Sequence, residues 1–393
     1  MKYVVIGGAG GMGKITVRDL VEFSTPEDTI VIADYDFEKA KALADSYKNQ
    51  QVIPLRVDVN DLSATAQALR GTSVVVNSVQ YHLNLKVMEA TLAAGANYTD
   101  LGGLFHMTRK QLLLHERFKS AGRLAIIGMG AAPGITNILS RHGCDQLDSV
   151  REIHTMVAGS DQTKYKDVPA LSVSYSLQTI LEEFSIEPAV FTKGEFTFAK
   201  PMSGAVAQKF PPPVGIRYPM YTIHSEVATL PLSFKEKGVR EVSFKIAFDS
   251  EFLDRVKFLR DIGLASHEPV EISGIKVKPI ELINKLAMAQ TPAKKVGKLK
   301  QHEIVRAVVK GMKDKKKRTI ILDCHTKGFE KWGVGTDLNT GSPPAVVARM
   351  IAEGQIKGSG VLAPENSVPP KPFFELLKKR KMWVEIQQKS GWI

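Results

Sequence analysis

Apolar runs and amphipathic stretches alternate along the first third of the chain. A run at residues 3–6 enters a glycine-rich turn, and KITVRDLVEF (14–23) then places Ile15, Leu20, Val21 and Phe23 at roughly helical spacing. A second run, 29–33, ends in Asp34; a helical pattern near 37–47 precedes a strand at 52–57, and 62–69 leads to the very apolar segment 73–77. Helix 85–94, a short strand near Tyr98, helix 108–121 and strand 124–127 follow. Right-handed crossovers and short connections leave few arrangements for about six such strands, so the pattern predicts an α/β fold with a doubly wound parallel (Rossmann) sheet.

The register changes near Val150. Strand-like alternation at 151–157, a polar loop, the prolines Pro211, Pro212 and Pro213, and strands such as 241–248 indicate a second, mostly antiparallel α+β domain. EIVRAVVKGM (303–312) and TIILDCH (319–325) read as two strands joined by the lysine-rich turn KDKKKR. From Ser342, PPAVVARMIAEGQI is an amphipathic helix with prolines at its start. The expected division is the α/β domain at 1–145, the second domain at 146–335, and a segment at 336–393 returning to the first domain. A chain of 393 residues, 44% hydrophobic, readily supports two cores.

The opening turn carries the chemistry. Gly8, Gly10 and Gly13 stand at G-x-G-x-x-G spacing: Gly8 for the tight turn, Gly10 for close approach of a pyrophosphate, and Gly13 for helix–strand packing. The helix start at Gly10, Gly11 and Met12 offers amides and a positive dipole end to phosphate. Asp34, 21 residues beyond Gly13, closes the second strand, where a carboxylate accepts the adenosine ribose hydroxyls. Its neighbours Tyr35, Asp36 and Phe37 supply no arginine, so NAD is favoured over NADP; the plainer alternative is that Asp34 caps the next helix.

A formal charge of +12 raises the question of nucleic acid, but the basic region 294–318 has no interleaved aromatics or binding motif, and a solvated hairpin tip is expected instead. Cys144 and Cys324 are too few and isolated for a disulfide framework or zinc site. No leader and no apolar run of membrane-spanning length is apparent, so a cytoplasmic protein with neither membrane nor metal is expected.

GGAGGMG, NSVQYHLN (77–84), YTDLGG (98–103) and above all GMGAAPGITNIL (128–139) together resemble the saccharopine dehydrogenase family, as does SPPAVVARMIAEGQIKGSGVLAPE (342–365). The resemblance implies an NAD(P)-binding domain, an inserted antiparallel substrate domain, homodimers, and pyridine-nucleotide oxidation of a C–N bond in lysine-type compounds.

In an open α/β sheet, ligands lie at the carboxyl ends of the strands, so the loops 77–84, 100–103 and 128–136 should converge on the nicotinamide. Asp58, Asn77, Ser78, Val79 and Gly102 join the glycine turn as cofactor-binding candidates. Tyr81, Gly103, Pro133, Gly134 and Asn137 are substrate-binding candidates, the helix start near Gly134 receiving a substrate carboxylate. Amine oxidation needs a base, for which Asp100, His82 and His224 lead and His106 is weighed. Glu226 could instead hold the substrate ammonium, and Arg217, Lys164 or Lys245 could pair a carboxylate. The primary expectation is NAD-dependent oxidation of the side-chain amine of lysine or a close relative. Alternatives are a saccharopine-type or carboxynorspermidine-type enzyme acting on a secondary amine, and a noncatalytic NAD-binding sensor.

Overall fold

The computed structural model describes every residue except Gln50, Ser172, Ser174, Tyr175 and Ile393. Seven parallel strands form the first sheet, in the order Gly360–Leu362, Leu124–Ile126, Asn97–Asp100, Val74–Asn77, Lys2–Ile6, Thr29–Asp34 and Val52–Arg56. Helices cover both faces, so the central strand Val74–Asn77 is buried at every residue and its sequence, VVVN, does not alternate. The order reverses between Lys2–Ile6 and Val74–Asn77, which places the ligand crevice above their carboxyl ends.

The second sheet runs Glu195–Phe198, Ala189–Thr192, Glu241–Ala247, Ser149–Asp161, Gln301–Lys313, Lys316–Thr326 and Met382–Ser390. Its pairings are antiparallel except between Glu241–Ala247 and Ser149–Asp161. The lysine-rich hairpin turns on Asp314 and Lys315, at φ 49° and 60°. Two left-handed residues match the twist of the flanking strands. Both cysteines are free and buried, and among the described residues no helix is long and apolar enough to cross a membrane.

Beyond residue 335 the chain packs on the first sheet and also contributes a strand to the second. Helix Leu338–Ala352 packs on helix Gly11–Phe23, and the Thr16 hydroxyl donates to the Gly341 carbonyl at 2.7 Å. This helix starts at Leu338, so Pro343 and Pro344 lie in its second turn instead of at its start. Strand Gly360–Leu362 then completes the parallel sheet, whereas Met382–Ser390 pairs with Lys316–Thr326 in the other. Between them, Arg380 makes a two-pronged ion pair with Asp19 at 2.5 Å, both side chains fully buried, and its guanidinium stacks 4.0 Å from the Phe23 ring.

Candidate active site

The glycine turn follows the expected logic with one shift. The left-handed residue is Gly7, at φ 74°; Gly8 is confined because a Cβ there would lie 2.9 Å from the Val5 carbonyl. At Gly13 a Cβ would come within 2.1 Å of the Gly7 carbonyl, so the helix reaches the turn only with glycine in place. Above Gly11 the space is open, no side chain caps the helix start, and the first turn holds no acid. The neighbouring Ser78 hydroxyl is buried with no hydrogen-bond partner among the described residues. Open room, uncommitted helix-start amides and an orphaned hydroxyl fit the phosphates of a dinucleotide. Val79 packs against Gly7, while Asp58 lies exposed after the third strand and accepts from Asn60.

Asp34 accepts hydrogen bonds from the amides of Ala9 at 3.0 Å and Asp36 at 3.1 Å, which holds its carboxylate against the glycine turn. The helix cap is Asp36, which accepts from the Lys39 amide.

At the carboxyl ends of the next strands the loops are tied by one buried carboxylate. Asp100 accepts from the amides of Gly102 (3.0 Å) and Gly128 (2.7 Å), the Tyr98 hydroxyl (2.8 Å) and the Gln111 amide (2.6 Å). Asn77 donates to Asn84 and to Tyr98, and Asn84 donates to the Gly102 carbonyl. Burial raises the Asp100 pKa, with the four donors working against it. Fully buried and surrounded by donors, Asp100 is a girder between loops, not an accessible base. Gly102, at φ 115°, and Gly128, at φ 79°, close around the Pro133 ring.

The second domain supplies the facing wall. Ser225 accepts from the Gly103 amide and the Thr108 hydroxyl. Next to it, Glu226, fully buried, accepts from Thr136 at 2.7 Å and pairs with His224 Nδ1 at 2.5 Å. His224 also stacks on Phe244 with ring centroids 3.8 Å apart. Burial disfavours its protonation, but the Glu226 carboxylate outweighs this and the His224 pKa is raised. The Tyr81 hydroxyl reaches across to buried Glu182 at 2.8 Å, and His267 meets the same carboxylate at 2.9 Å.

Other expected residues fall elsewhere. The helix start at Gly134 is already occupied: Asn137 accepts from the Gly134 amide and donates to Thr229 and to buried Glu365, leaving no anion site there. Arg217 is spent on the carbonyls of Gly159 and Ile216, and Lys245 on the Gly204 carbonyl. Lys164 sits on an exposed strand pair, His106 stacks on Phe198, and exposed His82 packs edge-on against Tyr81.

The sequence reading missed a further group. The stretch 336–341 lies over the loops of the first domain: a Cβ at Gly130 would be 3.5 Å from the Thr340 methyl, and one at Gly341 would meet Ile15 and the Met12 carbonyl. Asn339 donates to Glu303 at 2.5 Å. Burial, with Asp337 adding to it, pushes the Glu303 carboxyl up to about 7, while burial pushes Asp337 up to about 6. A signal existed in strand Gln301–Lys313, where Glu303 stands on the same side as Val305, Ala307 and Val309, a lone acid at the end of an apolar face.

Comparison with known proteins agrees with this architecture. Residues 3–126 match the family model of the saccharopine dehydrogenase NADP binding domain, and residues 130–382 that of the saccharopine dehydrogenase C-terminal domain. The chain is 22% identical to carboxyaminopropylagmatine dehydrogenase of Synechocystis, covering 98% of both proteins. It is likewise 22% identical to carboxynorspermidine synthase of Vibrio cholerae, over 94% of this chain and 93% of that one. Among solved structures, apo saccharopine dehydrogenase (L-Glu forming) from Saccharomyces cerevisiae has a TM-score of 0.72 at 16% identity, covering 99% of each chain. Homospermidine synthase from Legionella pneumophila, in complex with NAD, has a TM-score of 0.67 at 12% identity, over 98% and 91% of the two chains. With both of its domains matched almost end to end, the chain belongs to the saccharopine dehydrogenase family of pyridine-nucleotide oxidoreductases.

Proposed function

We propose that the protein forms or cleaves a secondary amine of the polyamine type, by hydride transfer with a pyridine nucleotide. The observation that carries this reading is the acidity of the groups set against the nucleotide-domain loops and the 336–341 stretch. Glu182 meets Tyr81, Glu226 meets Thr136, Glu303 meets Asn339 beside Asp337, and among the described residues none of the four pairs with a lysine or arginine. Glu182 and Glu226 have only histidines as basic partners, and carboxylates so placed favour a ligand that brings positive charge. Lysine, with two ammonium groups and one carboxylate, uses this surplus only in part. Saccharopine carries three carboxylates and would meet repulsion, since Arg217 and Lys245 are committed to main-chain carbonyls. Two relatives named for carboxylated polyamines point the same way, so the lysine expectation gives way to the carboxynorspermidine-type alternative.

The nucleotide supplies or accepts the hydride. The His224–Glu226 pair holds a proton beside the pocket: it gives one as an amine condenses with an aldehyde and water leaves, and takes one from the ammonium in the reverse direction. Asp100 positions the loops that carry Gly102, Gly103 and Gly128. Asp34 serves the ribose hydroxyls and favours NAD. Asp34→Ala is expected to weaken NAD about ten- to hundredfold in Kd, the worth of a hydrogen bond to a charged group.

The test is oxidation of lysine, saccharopine, carboxynorspermidine and carboxyaminopropylagmatine, each with NAD and NADP at alkaline pH, where ammonium protons leave easily. A carboxylated polyamine should exceed lysine in kcat/KM by at least about tenfold, the equivalent of one uncompensated charge contact. A preference for lysine or saccharopine overturns the proposal.

A further inference from the structure

The edge of the parallel sheet holds a cation that the local sequence around Asp34 hides. Strand Val52–Arg56 lies beside Thr29–Asp34, and their register pairs Arg56 with Asp34. Neighbouring strands are about 4.8 Å apart, so a residue 22 positions along the chain becomes an immediate neighbour of the ribose-binding carboxylate. The Arg56 guanidinium lies 5.9 Å from the ring centroid of Tyr35, itself 67% exposed. Among the described residues no carboxylate pairs with Arg56, in contrast to Lys39, which is held by Asp36 at 2.8 Å. The Asp34 carboxylate is turned toward the glycine loop by its bonds to the amides of Ala9 and Asp36.

We propose that Arg56, braced by Tyr35, receives the 2′-phosphate of NADP(H), so that one adenosine site accepts both dinucleotides. A 2′-phosphate carries nearly two negative charges, and beside Asp34 alone it would be repelled. A guanidinium one strand away offsets that repulsion, because its planar fork can bind two phosphate oxygens at once and it keeps its charge at any working pH. NAD, with a bare 2′-hydroxyl, uses Asp34 and leaves Arg56 in solvent. The two residues thus act on opposite forms of the same cofactor position. This inference rests on the nucleotide fold and is independent of the amine assignment.

The experiment is calorimetric titration of the purified protein with NAD, NADP and 2′,5′-ADP, a probe that carries the 2′-phosphate without nicotinamide. Wild type, Arg56→Ala, Arg56→Lys and Asp34→Ala are compared, with circular dichroism and melting curves as fold controls. Arg56→Ala should weaken NADP and 2′,5′-ADP at least about tenfold and leave NAD within about twofold, as expected for loss of one charge-assisted contact. Arg56→Lys should fall between, since an ammonium keeps the charge and loses the fork. Raising salt should weaken NADP more than NAD in wild type, and this difference should shrink in Arg56→Ala. An unchanged NADP affinity in Arg56→Ala, equal weakening of NAD and NADP, or no measurable binding of NADP to wild type would each overturn the assignment. Failure of every nucleotide to bind wild type would instead indict the cofactor site as a whole.

Discussion

Replacing Glu303 by glutamine should make the protein more stable in alkaline solution while damaging its use of amines. The folded protein holds the Glu303 carboxyl proton up to about pH 7, against an ordinary 4.5, because the group is buried and faces Asp337. That distance, at about 1.36 kcal/mol per pH unit, amounts to roughly 3 kcal/mol. The pKa is raised on folding, so the associated stability is fully present below about 4.5 and is lost as pH climbs through about 7. Glutamine never ionises, and its carbonyl can still accept from Asn339. Urea unfolding at pH 5 and pH 8.5, followed by tryptophan fluorescence, should therefore show little difference at the lower pH. At the higher pH the variant should gain about 2–3 kcal/mol. A saturating polyamine should raise the melting temperature of wild type more than that of the variant at pH 8.5, because an ammonium neutralises the ionised carboxylate. A variant whose stability difference is the same at both pH values would refute the reasoning.

Three further outcomes follow from the same geometry. Arg380→Ala should cost about 3–5 kcal/mol in urea unfolding by stranding the buried Asp19 carboxylate, whereas the pair Asp19→Leu with Arg380→Met should recover most of that; equal losses would contradict it. Glu226→Gln should cut amine turnover at least about tenfold with nucleotide Kd unchanged, a loss typical of disturbed acid–base catalysis. Because Glu226 raises the His224 pKa, the acidic limb of the kcat profile should also move to lower pH, and an unmoved limb would separate His224 from the proton transfer. Asp100→Asn keeps the volume but replaces one of the two accepting oxygens by a donor, stranding either the Tyr98 and Gln111 donors or the Gly102 and Gly128 amides; a melting temperature unchanged despite an expected cost of about 1–3 kcal/mol per stranded donor would refute the girder role.

The nucleotide half could be read from the chain because its determinants are local. A strand, a glycine turn and a helix succeed one another within the first 23 residues, and Asp34 follows at the next strand end. The hairpin around Asp314 was readable for the same reason, with two alternating strands flanking a short polar turn. The amine-facing side was not, because its acids come from four distant places. Glu182 lies near the end of a helix, Glu226 begins one, Glu303 lies near the start of a strand, and Asp337 precedes helix Leu338–Ala352. Each is unexceptional by itself, and only the tertiary fold sets Glu182 against Tyr81, Glu226 against Thr136 and Glu303 against Asn339. Arg56 was invisible for a related reason: strand register made it a neighbour of Asp34. The helix start at Gly134 misled in the opposite sense, since its orphan amide is satisfied by Asn137 three residues on.

The route of the last sixty residues has a consequence for how this protein is made. An edge strand of the nucleotide sheet, Gly360–Leu362, and the guanidinium that neutralises Asp19 both leave the ribosome after the strands from Ser149–Asp161 to Lys316–Thr326 of the second sheet. A nascent chain that ends before the second sheet thus carries its glycine turn and Asp34 but an incomplete first sheet and an unneutralised acid in its first helix. Synthesis from the N-terminus therefore delivers the pieces of the nucleotide site early and their closure late, so nucleotide capture should await translation of the segment that carries Gly360–Leu362 and Arg380.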